Sequence, residues 1–188
     1  MPLLWAFFVG IKEEMTRIEA INCLLNNYSA FYNIYKNEET KEYDDPALIA
    51  RCEFYENSKK YVISQKAELW HSDCEEFLYL YHVPHLDMTA YQKYLDYAHQ
   101  DGTARMHIQP GHMYTYISPV FVCDSMDKDV KKAIKKCRIY KSFKFGLHGW
   151  MDVHVSAVIL PEKKVIYNSS GHTTASVIRK VLFHIKKK

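Results

Sequence analysis

No part of this 188-residue chain has the unbroken run of about twenty apolar residues that a membrane-spanning helix needs. The nearest approach, MPLLWAFFVG at the start, is about half that long. It also lacks the basic leader and small-residue cleavage site of a secretory signal. Six glycines and six prolines are too few for a fibrous repeat or a disordered tract. GxGxxG, Walker, GxSxG and CxxC patterns are all missing, so the chain carries none of the usual short signatures of dinucleotide, phosphate, esterase or dithiol chemistry. Five cysteines, an odd number without framework spacing, exclude a secreted disulfide scaffold and a zinc knuckle. Cys23, Cys52 and Cys123 sit in apolar runs and read as small hydrophobes. The expectation is a cytoplasmic protein with no membrane association.

What is present suffices for an ordinary core. At this length a single domain buries roughly 70% of the surface of its unfolded chain, so 48% apolar residues need no covalent staples. Fifteen tyrosines fit half-buried strand faces, where the ring packs and the hydroxyl stays wet. Residues 1–14 are set apart: Met15 opens a more ordinary start, so the segment reads as an appended element or an upstream-start extension. Residues 15–188 read as one α+β domain, with two similar halves, about 15–103 and 104–188, as an alternative.

Apolar spacing and the Thr16/Glu19 capping box predict a helix over 15–35. Strands are expected at 48–55, 61–70 and 77–83, with ENSKK and HSDC as turns. Asp87 caps a helix to about Gln100, and the second half opens at Asp101-Gly102. A long strand follows at 113–123, with Pro119 implying an edge or a bulge. Asp124 or Ser125 caps a basic helix over 127–137. Strands at 138–147, 150–160 and 164–168 precede a last helix from Thr173. The order α-βββ-α-β-α-βββ-α makes a mixed, mostly antiparallel sheet with helices packed on it.

Two features carry candidate chemistry. The run from Lys128 to Lys144 holds eight basic residues. On its helix Val130, Ile134 and Cys137 form an apolar stripe, with Lys131, Lys132, Lys135 and Lys136 off it. Lys144 extends the field, with Tyr140 and Phe143 interleaved. Lysines among aromatics suit phosphates of nucleic acid or another anionic partner, and they equally suit a solvated amphipathic helix. The second feature is FKFGLHGWMDVHVSAVIL, residues 143–160, where one strand parity collects His148, Trp150, Asp152 and His154. This is a polar binding face, a solvated strand face, or a zinc, iron or manganese site of His148, Asp152 and His154. Strand spacing keeps His148 and His154 about 20 Å apart unless Gly149 bends the chain, and leaves Asp152 and His154 as the close pair. Glu53, Lys66 and Glu68 suggest, by element order alone, a nuclease-like metal-dependent hydrolase. HVPHLD, with His82, His85 and Asp87, and HIQPGH, with His107 and His112, fit capping and turn chemistry. No cofactor is implied.

The segments YENSKKYVISQKAELW, GHMYTYISPVFVCDSMDKDVKKAIKK and YKSFKFGLHGWMDVHVSAVIL resemble a family of bacterial proteins of unknown function, about one domain long. The resemblance covers about residues 15–185. It implies a stand-alone bacterial cytosolic domain and supplies no activity, ligand or catalytic residue. The composite expectation is a binding domain with an anionic partner; the alternative is the metal-dependent hydrolase.

Overall fold

A computed structural model describes residues 15–61 and 68–184, with 57–61 and 68–72 described by their backbone alone. The segment 1–14, the Lys186–Lys188 tail and Lys66 therefore lie outside the described residues, as does the side chain of Glu68. None of the described helices is long and apolar enough to cross a membrane.

The first helix, α1 (Arg17–Tyr28), opens on the anticipated capping box: the Thr16 hydroxyl accepts from the Glu19 N–H, and the Glu19 carboxylate accepts from the Thr16 N–H. It stops seven residues earlier than the apolar spacing suggests. Asn26, Asn27 and Ser29 favour local bonds over helix, and the Ser29 hydroxyl bonds the Asn26 carbonyl. The chain then forms β1 (Asn33–Lys36) and a single turn, α2 (Asn37–Thr40).

Two long strands follow, β2 (Leu48–Tyr61) and β3 (Glu68–His82). The expected turns at ENSKK and HSDC are both inside this ladder: Asn57 pairs with Asp73 and Ser58 with Ser72. Continuous cross-strand pairing outweighs the turn preference of Asn, Ser and Asp. Beyond β3 the chain makes β4 (His85–Leu86) and α3 (Met88–Arg105), then β5 (His112–Cys123), β6 (Ser125–Met126) and α4 (Lys128–Lys136). The remainder is β7 (Tyr140–Ser142), β8 (Trp150–Val153), β9 (Ser156–Ile159), β10 (Lys164–Tyr167) and α5 (His172–Phe183).

The main sheet runs β1-β2-β3-β5-β8-β7. β9 continues β8 along β5 and carries β10 on its outer side. The sheet is mixed and mostly antiparallel, as expected, but its centre is parallel: β3, β5 and β8/β9 run the same way. Helices α3 and α4 are the crossovers between these strands. They share one face with a core that includes Tyr79, Tyr81, Phe121, Ile134 and Val153. Helices α1 and α5 cover the other face over Leu24, Leu78, Val120, Val158 and Ile178.

Three departures position the functional residues. Helix α3 runs through Asp101-Gly102 to Arg105, because Gly102 lies against Ile117, where a Cβ would come within 2.9 Å of its side chain. The predicted 138–147 strand contracts to β7 and a tight loop, with Lys144, Phe145 and Gly146 all at positive φ. The predicted 150–160 strand is split at His154-Val155, next to Pro119. The parity of Ile117, whose carbonyl accepts from the His154 N–H, puts the missing Pro119 N–H toward that break. Pro119 thus lies in a central strand, not at an edge. Asn168 bridges the break: its Oδ1 accepts from the N–H groups of Val155 and Gly171, and its Nδ2 donates to the carbonyls of Val153 and Cys137.

Candidate functional sites

The basic residues and the 150–154 residues stand on opposite faces. Val130 and Ile134 anchor α4 on the face of Met151 and Val153, whereas Trp150, Asp152 and His154 alternate with those two and face the other way. Cys23, expected inside, is exposed on α1; Cys52, Cys74 and Cys123 are buried, and none of the five cysteines is in a disulfide. Burial pushes the Cys52 and Cys123 thiols up to about 12, so neither is poised as a nucleophile.

On α4 two lysines are already engaged, Lys131 with Glu162 at 3.3 Å and Lys132 with Asp129 at 3.3 Å. Lys135 and Lys136 are exposed and without an ion pair among the described residues. Strands β7 and β10 both lie on the outer side of β8/β9, so Lys141, Lys144 and Lys164 share one sheet edge. Beside it, Lys135, Arg138 and Lys164 line a groove of about 480 Å³ that also borders Tyr167, Asn168 and Ser169. Further along this edge, the loop after β7 exposes Phe145 completely and Leu147 almost so, and Tyr140 is exposed at the other end of β7. Lys144 and Phe145, at φ 45° and 55°, are held in the left-handed region that side chains with a Cβ disfavour.

On the opposite face the close pair is as spacing suggested: His154 Nε2 lies 3.7 Å from Asp152 Oδ2. The imidazole packs on Tyr116, 4.1 Å between ring centroids, and Tyr116 stacks on Tyr114 at 4.4 Å, with Trp150 beyond. Burial holds the His154 imidazole below the ordinary histidine range, although Glu76 and Asp152 pull the other way. Glu76 accepts hydrogen bonds from the hydroxyls of Tyr32 at 2.7 Å and Ser118 at 2.5 Å. The face is aromatic and acidic. The main-chain carbonyl of His148 accepts from His112 Nδ1 at 2.8 Å, which ties that turn to β5. Gly149 does bend the chain, at φ 67°, and a Cβ there would sit 2.1 Å from the Met113 carbonyl oxygen. Among the described residues no three His, Cys, Asp or Glu side chains stand close enough to hold a metal ion.

Glu53 belongs to a network that sequence reasoning missed. It lies with Arg51 (β2), Asp101 and Arg105 (α3) and Glu42. Arg51 Nε donates to Glu53 at 2.8 Å and its Nη1 to Glu42; Arg105 donates to Asp101 at 2.8 Å and to Glu42 at 3.0 Å. Two guanidinium groups thus occupy the space in which a cation on Glu53 would have to sit. Burial disfavours the Asp101 carboxylate, yet bonds from Arg105 and Tyr79 outweigh it and hold the group below its usual range. Nearby, buried Glu75 binds the N–H and Nδ1 of His107 and the Thr115 hydroxyl, and Thr115 Oγ lies 2.8 Å from His112 Nε2. HIQPGH is therefore a structural clasp on Glu75. Nothing in local spacing marks either cluster, since the partners come from elements up to 63 residues apart.

No curated protein and no solved structure matches the chain. A family model described as a domain of unknown function (DUF8052) matches residues 16–180, nearly the whole described fold, and the chain belongs to that family.

Proposed function

We propose that this is a cytoplasmic bacterial binding domain whose β7/β10 edge takes an anionic strand, single-stranded nucleic acid foremost. The observation that carries the reading is the gathering of exposed cations and bare aromatic rings along one sheet edge, where, among the described residues, Lys164 alone has a carboxylate partner, Glu162 at 3.9 Å. Lys135, Arg138 and Lys164 line the groove, while Lys141, Lys144, Tyr140 and Phe145 continue the same edge toward the other end of the sheet. Cations match phosphates, and exposed rings stack on bases without selecting among them. The bacterial and cytoplasmic parts rest on the resemblance and on five cysteines that form no disulfide.

The test is fluorescence anisotropy with single-stranded RNA and DNA oligonucleotides across a salt series. Four to six phosphate contacts give a slope of log affinity against log salt of about −3 to −4. Reversing charge at Lys135, Arg138 and Lys164 together is expected to abolish binding. Absent or salt-insensitive binding to both nucleic acids removes the reading; capture of an acidic peptide alone replaces nucleic acid with protein as the partner.

A further inference from the structure

The two parallel crossovers end in matching segments. After β3 the chain reads His85-Leu86-Asp87 and enters α3; after β5 it reads Ser125-Met126-Asp127 and enters α4. The segments pair in parallel as β4 and β6, with His85 opposite Ser125 and Leu86 opposite Met126. Leu86 and Met126 are buried, so strand alternation turns His85 and Ser125 outward. This junction lies at the carboxyl ends of parallel strands β3 and β5, where sheets of this kind place their ligand sites.

The two aspartates then diverge. Asp87 caps its helix, accepting from the Ala90 N–H at 2.7 Å. Asp127 occupies the same place before α4 and makes no capping bond; its carboxylate instead lies 3.2 Å from His85 Nε2. The other ring nitrogen, Nδ1, is 2.8 Å from Ser125 Oγ. From these contacts we infer that Ser125, His85 and Asp127 form a hydrolytic triad, acting on carboxylic esters. An Nε2–H donated to Asp127 leaves Nδ1 as the lone-pair base facing the serine hydroxyl. The ring nitrogens are used in the reverse of the more familiar order, but nucleophile, base and orienting carboxylate are in sequence and in reach. Because Asp127 is diverted from capping, the first N–H groups of α4, beginning at Lys128 three residues after Ser125, receive no bond from its carboxylate. They form a donor set for a developing oxyanion.

The chemistry balances without a co-reactant beyond water. Ser125 Oγ bonds to the acyl carbon as its proton passes to His85 Nδ1. The ester C–O bond breaks, and the departing alkoxide takes that proton. Water then adds to the acyl-serine, giving its proton to Nδ1, and the serine oxygen leaves with it as the carboxylic acid is released. All three side chains are exposed, so water reaches the acyl-serine and hydrolysis is favoured over transfer to a larger acceptor.

The full chain is treated with a fluorophosphonate probe, the labelled residue is located by peptide mass spectrometry, and release of p-nitrophenol from its acetate and butyrate esters is followed. Labelling at Ser125 is expected, and its loss in Ser125→Ala. His85→Gln is expected to slow both labelling and ester cleavage about a hundredfold or more, the usual range for a general base. Asp127→Asn keeps a good capping residue and is expected to lower the rate while thermal melting stays unchanged. No label on the unmodified chain, a label elsewhere, or unaltered rates in folded Ser125→Ala or His85→Gln would overturn the assignment.

Discussion

Replacing Asn168 with alanine tests whether one side chain holds the split between β8 and β9. The residue is 1% exposed and makes four side-chain hydrogen bonds, to Val155 N–H, Gly171 N–H, Val153 C=O and Cys137 C=O. Two of those groups keep other partners: Gly171 N–H reaches the Asn168 carbonyl at 3.2 Å, and Cys137 C=O accepts from Arg138 at 3.0 Å. The buried Val155 N–H and Val153 C=O lose their side-chain partner. At about 1–3 kcal/mol for each buried polar group left unmet, the cost is about 2–6 kcal/mol. That is a large part of the 5–15 kcal/mol by which domains are usually stable. Urea unfolding of the two proteins reads it directly: at an m-value of about 2 kcal/mol/M the midpoint falls by about 1–3 M with the slope unchanged. Asn168→Asp retains an acceptor for the two N–H groups and sets a carboxylate against two carbonyls, so it is expected to fare no better. A midpoint within about 0.3 M of the parent for Asn168→Ala refutes the reasoning. It would mean the break is held by the backbone alone.

Arg51→Met breaks a buried ion network, leaving Glu53 and Glu42 short of their partner; a loss of about 3–5 kcal/mol is expected in urea unfolding. Gly149→Ala forces a Cβ into the Met113 carbonyl at positive φ, and a loss above about 4 kcal/mol, seen as an insoluble chain or a much lower melting temperature, is expected. His154 is held below its unfolded value, so its contribution is complete above about pH 6.5 and is lost as the pH falls toward its lowered folded value. Unfolding free energies between pH 7.5 and 5.5 therefore fall with a slope of up to about 1.4 kcal/mol per unit from this group, and His154→Gln removes that part. An unaltered slope in that variant counts against burial of the neutral imidazole.

Local rules carried the reading of the chain as far as local physics decides. The Thr16/Glu19 box, the Asp87 cap and the Val130/Ile134 stripe all appear as expected, because each depends on residues within one helical turn. Errors concentrate where distant strands decide. ENSKK and HSDC are strand because they have each other as partners. Pro119 sits in the centre of the sheet because the neighbouring strand is broken beside it. Tyr32 and Tyr35 keep helical spacing yet leave the helix, Tyr32 to bond Glu76 and Tyr35 to enter β1. The Ser125–His85–Asp127 contact is a further case. Its members are 40 residues apart, and only the parallel pairing of β4 with β6 makes them neighbours. A faint signal was available: two long strands each followed four or five residues later by an aspartate and a helix.

The division of candidate residues between the two faces has a chemical consequence. One sheet edge offers cations and bare aromatic rings, while the Trp150, Asp152 and His154 face offers carboxylates and stacked tyrosines. A single anionic ligand cannot use both, since Asp152 and Glu76 would repel it at close range while Lys135, Arg138 and Lys164 attract it. If phosphates bind the edge, charge reversal there abolishes binding and Asp152→Asn leaves it unchanged within about twofold, a difference of under 0.5 kcal/mol. If instead Asp152→Asn strengthens oligonucleotide binding markedly, the anion lies against the acidic face and the edge assignment is wrong. The same pair of variants, read by anisotropy at two salt concentrations, thus distinguishes a ligand on the edge from one that has merely found the nearest lysines.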